Sequence, residues 1–153
     1  MVQPKDIDAV IGKKGTFDRP ESSFRRFVAP DSEFQPENDR YHLIISWACP
    51  WAHRCAMVRH MKGLTKVIGL SVVHPTWART KPENPNDTHF GWPICSPGEA
   101  IPGNNGNGSF AFDDVSLGPF DPTKVKFVRD LYEMSNDTLG RYSVPILWCK
   151  KTG

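Results

Sequence analysis

The stretch Cys49-Pro50-Trp51-Ala52-His53-Arg54 decides how this chain folds, because it places a cysteine where a helix begins. A strand-like segment, Tyr41 to Ser46, precedes the stretch, and a helix-like segment, Pro50 to Lys62, continues it. Pro50 suits the first helical turn, where its missing N–H leaves no hydrogen bond unmade. The unpaired N–H groups and the positive end of the helix dipole at such a position favour a thiolate over a thiol.

The four cysteines do not form a dithiol motif, a disulfide framework or a metal site. Position 52 is Ala, where a dithiol redox motif would carry its second cysteine, so an activated Cys49 must be resolved by an external thiol. Cys55 lies six residues along the same helix, on another face, and is expected to be a packed core thiol that does not pair with Cys49. Cys95 lies in a loop, and Cys149 is expected to be exposed and prone to oxidation.

The composition fits one domain of ordinary size, with 153 residues of which 39% are hydrophobic. The net charge of +2 is too mild to indicate a nucleic-acid partner, and no stretch is long and apolar enough to span a membrane. The N-terminus has no apolar signal core, and its early acids argue against a transit peptide. A cytoplasmic protein with reduced thiols is therefore expected.

Residues 1–40 are rich in Pro, Ser and charge and show little periodicity. They are interpreted as an extended arm whose aromatic side chains dock on the domain formed by residues 41–153. The alternative is a disordered tail, although such tails are usually poor in aromatics. The aromatic residues concerned are Phe17, Phe24, Phe27 and Phe34.

The rest of the chain predicts an α/β fold with the order β-α-β-α-β. A second strand, Lys66 to Val73, follows the first helix after a short turn, and such a unit implies a parallel pair. Residues 75–121 are a long insertion rich in Pro, Gly and Asn, and loops of this length are usually functional or mobile. Asp121 is expected to cap a second helix, Ser143 to Trp148 is a third strand, and the chain ends in a turn.

Two further expectations follow from this order of elements. Trp51, Cys55, Val58 and Met61 recur at helical spacing along the first helix, and Trp51 and Trp148 are expected in the core. A three-stranded sheet whose last strand ends in a turn leaves a bare edge. The chain therefore resembles one cut before its next strand.

The motifs on this framework resemble those of a known enzyme family. Cys-Pro at the first helix and Val144-Pro145 at the third strand resemble the thioredoxin-like N-terminal domain of a glutathione transferase. From about Gly15 onward the chain is similar to the glutathionyl-hydroquinone reductases, the Xi-class, omega-like glutathione transferases. The runs that carry this similarity are Arg40-Tyr-His-Leu43, Ala48-Cys-Pro-Trp-Ala-His-Arg54, Lys62-Gly-Leu64, Ser71-Val-Val-His-Pro75, Gly91-Trp92 and Ser143-Val-Pro-Ile-Leu-Trp148.

The resemblance implies that Cys49 is the catalytic nucleophile and glutathione the co-substrate, with no metal. The Cys49 thiolate would attack the sulfur of a glutathione attached to a hydroquinone ring, and the free hydroquinone would leave. A second glutathione would then release glutathione disulfide from the mixed disulfide on Cys49. The absence of a resolving cysteine at Ala52 fits this cycle.

The resemblance also assigns four residues to glutathione binding. The backbone N–H and C=O of Val144 would bind the cysteinyl part of glutathione, and the Val144–Pro145 bond should be cis. Trp92 would pack over glutathione, and Arg129 would pair with one of its carboxylates. The structural alternatives are a Trp92 that anchors a loop in the core, a solvated Arg129, and a His53 that is solvated or packed and does not support the thiolate.

The resemblance extends to only part of the family's architecture. The family continues into a fourth strand, a Glu-Ser-Ser helix start that binds the γ-glutamyl end of glutathione, and an all-helical domain; this chain contains none of them. The family implies a homodimer, and Cys149 stands where the family usually has Asp. Two alternative functions remain: an omega-like thiol transferase or dehydroascorbate reductase, and an inactive fragment with at most a binding role.

Overall fold

A computed structural model describes residues 22–103 and 105–153 of the chain. The strands and helices run in the order β1 Tyr41–Ile45, α1 Pro50–Met61, β2 Ile68–Val72, β3 Ala78–Arg79, β4 Phe90–Gly91, β5 Ala100–Pro102, β6 Ser109–Ala111, α2 Val128–Met134 and β7 Ile146–Cys149. None of the helices in the described ranges has the length and apolar character needed to cross a membrane.

The centre of the fold is a three-stranded mixed sheet in the order β2-β1-β7. β1 runs parallel to β2 and antiparallel to β7, which confirms the parallel pair expected from the β-α-β unit. All five residues of β1 are buried, and Ile44 and Ile45 have no exposed surface. Leu131 of α2 and Val73 after β2 complete the same apolar cluster. The predicted order of the main elements is therefore correct.

The buried face of α1 differs from the prediction. Ala52 is the buried residue of the helix, and the large side chains project away from the sheet: Trp51 is 50%, Val58 49% and Met61 80% exposed. A small residue at the contact lets the helix pack closely on β1, and Trp51, one position earlier, is then turned away by about 100°. The prediction that Trp51 lies in the core is wrong, whereas Cys55 does pack against the core.

The second helix begins seven residues later than its predicted cap. Asp121 does close a turn, because its carboxylate accepts the N–H of Thr123 at 2.9 Å. Residues 126–128 are then drawn into extended pairing, with Ile94 N–H donating to the Lys126 carbonyl at 2.7 Å. A helix cannot continue through this pairing, so α2 starts at Val128. Asp130 caps it by accepting the N–H groups of Lys126 and Phe127, each at 2.8 Å.

The long segment 75–121 contains two small antiparallel hairpins, β3–β4 and β5–β6. His74, which is fully buried, ties the second hairpin to the end of β2. Its Nδ1 accepts the N–H of Thr76 at 3.1 Å, so its Nε2 carries the proton and donates to the Phe110 carbonyl at 3.0 Å. Glycine and proline in this segment hid these short strands from the sequence pattern.

In the described part of the N-terminal arm, one aromatic side chain packs on the domain and another does not. Phe24 packs edge-on against Tyr132 of α2 with ring centroids 5.7 Å apart, whereas Phe27 is 84% exposed. Arg40 reaches back to the arm and donates to the Glu33 carbonyl at 2.7 Å. The predicted docking of Phe17 lies outside the described residues.

Cys149, at the end of β7, is buried, so the prediction of an exposed, oxidation-prone thiol is wrong. Burial raises the pKa of this thiol, but hydrogen bonds from Thr152, Arg40 and the turn amides outweigh burial and lower the pKa to about 7. The Arg40 Nε lies 3.3 Å from the sulfur. The Cys149 sulfur is therefore a buried hydrogen-bond acceptor for the Arg40 guanidinium, and this contact favours the ionised form of the thiol.

A buried polar group sits on the sheet beside β2. The His42 ring is hydrogen-bonded to the Ser71 hydroxyl at 2.7 Å, and two glycines, Gly69 and Gly118, let the backbone come close to it. Burial, together with the positive charges of Lys150 and Arg59, lowers the pKa of His42 from 6.5 to about 4. His42 is therefore neutral in the folded chain at physiological pH.

We expect the stability of the chain to fall as the pH drops from 6.5 toward 4. The unfolded chain binds a proton on His42 below pH 6.5, whereas the folded chain resists that proton until about pH 4. Screening by solvent at the sheet margin reduces the effect to about 2 kcal/mol. Urea unfolding at pH 7.5 and 4.5 measures the loss. His42→Gln should remove this part of the loss, whereas replacement of the exposed His60 by Gln should leave it unchanged.

Candidate active site around Cys49

The turn between β1 and α1 fixes Cys49 at the N-cap of the helix. The N–H of Cys49 donates to the Ser46 carbonyl at 3.0 Å, and the N–H of Ala48 donates to the Ser46 hydroxyl at 3.2 Å. The first helical bond then runs from the N–H of His53 to the Cys49 carbonyl at 3.0 Å. Cys49 therefore lies at the helix start, as the sequence predicts. Its side chain is also partly exposed, so solvent can reach the thiol.

Val144 meets Cys49 from the other end of the chain. The Cys49 thiol lies 3.5 Å from the Val144 carbonyl oxygen, within hydrogen-bonding distance for sulfur. The Val144–Pro145 peptide is cis, as the sequence predicted. β7, which begins directly after Pro145, pairs with β1, which ends just before the Cys49 turn, and this antiparallel pairing brings the two segments together.

Trp92 is partly buried against the core and is held from two sides. Its carbonyl accepts the N–H of Val128, the first residue of α2, at 3.0 Å. Its ring packs edge-on against Trp77 with centroids 5.1 Å apart. Trp92 is thus an anchor of its loop, and part of its surface remains exposed.

Arg129 is already paired within the chain. Its Nη1 lies 2.7 Å from Asp87 Oδ2, and its Nε lies 2.7 Å from Glu133 Oε1. The guanidinium also lies 5.2 Å from the centre of the Tyr142 ring, and the side chain is only 11% exposed. The alternative of a solvated Arg129 is therefore wrong, and its pairing with a glutathione carboxylate stays a prediction.

Aromatic side chains flank Cys49 along the chain. Trp47 is 42% exposed and packs edge-on against the His53 ring, with centroids 5.7 Å apart. Arg54 lies over the Trp51 ring at 5.0 Å. His53 is exposed and its ring contacts the half-exposed Trp47, which supports the alternative of a solvated side chain over a core-packed one.

Sequence reasoning missed Trp77 and Asp87, which the fold brings to Trp92 and Arg129. Trp77 was visible as a large aromatic residue shortly after β2, but Asp87 lies in a polar run with no distinguishing signal. All four cysteines are free. Within residues 22–103 and 105–153, no group of three or more His, Cys, Asp or Glu side chains is placed to hold a metal ion.

Known proteins resemble this chain, although no protein-family model matches it. Glutathione S-transferase omega-like 2 of Schizosaccharomyces pombe is 37% identical over 142 residues, a match that covers 91% of this chain and 36% of that protein. Glutathionyl-hydroquinone reductase YqjG of Escherichia coli is 34% identical over 146 residues, 90% of this chain and 37% of that protein.

Solved structures show the same likeness. Glutathione transferase Xi from Phanerochaete chrysosporium matches with a TM-score of 0.66 at 36% identity, over 92% of this chain and 38% of that one. The glutathione-bound structure of YqjG matches with a TM-score of 0.57 at 34% identity, over 84% of this chain and 36% of that one. The chain therefore has a thioredoxin-like fold, and it spans less than half the length of each of these proteins.

Proposed function

Because this chain is homologous to part of the Xi-class glutathione transferases, we propose that it carries their glutathione-linked thiol chemistry with Cys49 as the nucleophile. The observation that carries the proposal is the placement of Cys49: a partly exposed thiol at a helix N-cap, 3.5 Å from the carbonyl of Val144 and beside a cis-proline. The likeness to glutathione S-transferase omega-like 2 and to YqjG supports it.

The first chemical step is attack by the Cys49 thiolate on the sulfur of an S-glutathionyl-hydroquinone. A sulfur–sulfur bond forms between Cys49 and glutathione while the bond between that sulfur and the ring carbon breaks. The electron pair of the broken bond passes to the ring carbon, which takes a proton and leaves as the free hydroquinone. The substrate is reduced by two electrons, and Cys49 is oxidised to a mixed disulfide.

The second step restores the enzyme. A glutathione thiolate attacks the glutathione sulfur of the mixed disulfide, and the Cys49 thiolate is the leaving group. The overall reaction converts one S-glutathionyl-hydroquinone and one glutathione into hydroquinone and glutathione disulfide. Since Ala52 leaves Cys49 without a resolving thiol in its own motif, free glutathione is the natural second reductant.

The remaining site residues hold glutathione in place for these steps. Val144, whose backbone already faces the Cys49 thiol, would pair with the cysteinyl backbone of glutathione, and Pro145 keeps its segment in that orientation. Trp92 would cover the peptide with its exposed surface. The reducing conditions of the cytoplasm supply the glutathione that the cycle consumes, and a homodimer stays a prediction.

Turnover of two substrates by this chain tests the proposal. We expect release of hydroquinone from an S-glutathionyl-hydroquinone in the presence of glutathione, measured by chromatography, at a higher kcat/KM than the reduction of a small aliphatic mixed disulfide with glutathione. A preference for the mixed disulfide, or for dehydroascorbate, would instead indicate an omega-like thiol transferase. Binding of glutathione without turnover of any of these substrates would indicate a binding role.

A further inference from the structure

Arg129 connects α2 to the β3–β4 hairpin. Its Nη1 pairs with the Asp87 carboxylate at 2.7 Å and donates to the Thr80 hydroxyl at 3.0 Å. Its Nε pairs with Glu133, one turn further along α2, at 2.7 Å, which fixes the direction of the side chain. Arg129 and Asp87 are 11% and 17% exposed, so solvent screens their pairing less than it screens a surface ion pair.

The contacts of Arg129 lie on both arms of the hairpin. Thr80 directly follows β3, and Asp87 lies three residues before β4. Asp87 is itself fixed in the hairpin loop, because Arg79 donates to its carbonyl at 2.9 Å and its carboxylate accepts the N–H of His89 at 3.1 Å. The Arg129 guanidinium therefore binds a preformed loop and draws both arms toward α2.

This connection leads directly to Trp92. Trp92 follows β4 without an intervening residue, and its carbonyl accepts the N–H of Val128, the neighbour of Arg129. Trp77, which packs on the Trp92 ring, directly precedes β3. Trp77 and Trp92 are thus the residues at the two ends of the hairpin. Movement of the hairpin away from α2 would move both of them.

We propose that Arg129 and Asp87 form a hairpin clamp, which holds the β3–β4 hairpin on α2 and thereby positions Trp92 for glutathione. Arg129 is then a positioning residue that acts through Trp92. The link to glutathione rests on the proposed function, whereas the clamp itself rests on the contacts alone. Removal of the Asp87 charge would leave a mostly buried guanidinium with one partner fewer and loosen the loop, although Lys81 of the same hairpin still pairs with Glu133 of α2 at 2.9 Å.

The variant Asp87→Asn separates this proposal from direct binding of glutathione by Arg129. If the guanidinium binds a glutathione carboxylate, loss of the competing Asp87 charge should leave the affinity unchanged or raise it. If the guanidinium positions Trp92, the same variant should weaken binding. Arg129→Lys should also weaken binding, because it replaces the planar fork with a single ammonium. The two roles therefore give opposite results for one substitution.

Two measurements on the full chain make the test. Amide hydrogen exchange across residues 78–92 reports on the hairpin, and calorimetry with glutathione reports on the site. We expect faster exchange in Asp87→Asn and a dissociation constant raised at least about fivefold. Asp87→Glu, which keeps the carboxylate, should restore most of both. Asp39→Asn, which removes the acid of an exposed pair with Lys150, is the matched control and should change neither.

Each outcome decides the proposal. Unchanged exchange in Asp87→Asn, or glutathione binding that is unchanged or tighter, would overturn it. If the wild-type chain does not bind glutathione, the proposed function fails, and amide hydrogen exchange alone then tests the clamp. Faster exchange across residues 78–92 in Asp87→Asn would support the clamp, and unchanged exchange would overturn it.

Discussion

Replacement of Cys49 by Ser is expected to lower the turnover of an S-glutathionyl-hydroquinone by a factor on the order of 10³ or more. The hydroxyl remains protonated at neutral pH and cannot form the disulfide on which the second step depends. Serine is also a favoured N-cap residue, so the start of α1 should remain intact. Stopped-flow or chromatographic assay of hydroquinone release measures the effect.

Cys55→Ala is the matched control for this variant. Cys55 lies on the same helix, packs against the core and is only partly exposed, and burial raises the pKa of its thiol. Alanine at this position keeps the helix and should retain turnover close to that of the wild type. Full turnover by Cys49→Ser, or equal loss in both variants, would contradict the assignment of Cys49 as nucleophile.

Gly118→Ala is expected to destabilise the chain by about 3 kcal/mol, the largest effect on stability that we expect from a single methyl group. Gly118 has φ of +62°, a conformation that alanine adopts only with strain. An added Cβ would also lie 2.1 Å from the Ser71 hydroxyl and 2.8 Å from His42 Nε2. Since the Ser71–His42 hydrogen bond is buried between β1 and β2, neither group can move without losing it.

Gly106→Ala is the control that measures the backbone-strain part of that effect, so the difference between the two variants gives the steric part. Gly106 has a similar φ of +76°, but an added Cβ would meet nothing within 4 Å. It should therefore cost about 1 kcal/mol, from backbone strain alone. Urea unfolding of the two variants gives the difference, and equal losses would show that the packing around His42 tolerates an extra methyl group.

The central β-α-β unit could be predicted from the sequence because its signals are local. The apolar run of β1, Pro50 at the first helical turn and the β-branched run of β2 each specify their own element. The start of α2 could not be predicted in this way. Asp121 does cap a turn, but the pairing of Lys126 with Ile94, which lies far away in sequence, overrides the local helix signal.

The same distinction applies to the candidate site. The placement of Cys49 at the helix start and the cis bond at Val144–Pro145 could be predicted, because each is carried by a short motif. The pairing of Arg129 with Asp87 could not, because it depends on how the β3–β4 hairpin folds back on α2. The exposure of Trp51 also escaped prediction, since helical spacing defines a stripe of large residues but not that a small residue, Ala52, faces the sheet.

The most direct test of the central claim is mass spectrometry of the chain after incubation with an S-glutathionyl-hydroquinone in the absence of glutathione. Without the second reductant, the mixed disulfide should accumulate. We expect one glutathionyl adduct per chain, mapped by peptide analysis to Cys49 and released when glutathione is added. No adduct, or an adduct on Cys95 or Cys149 with Cys49 unmodified, would contradict the account.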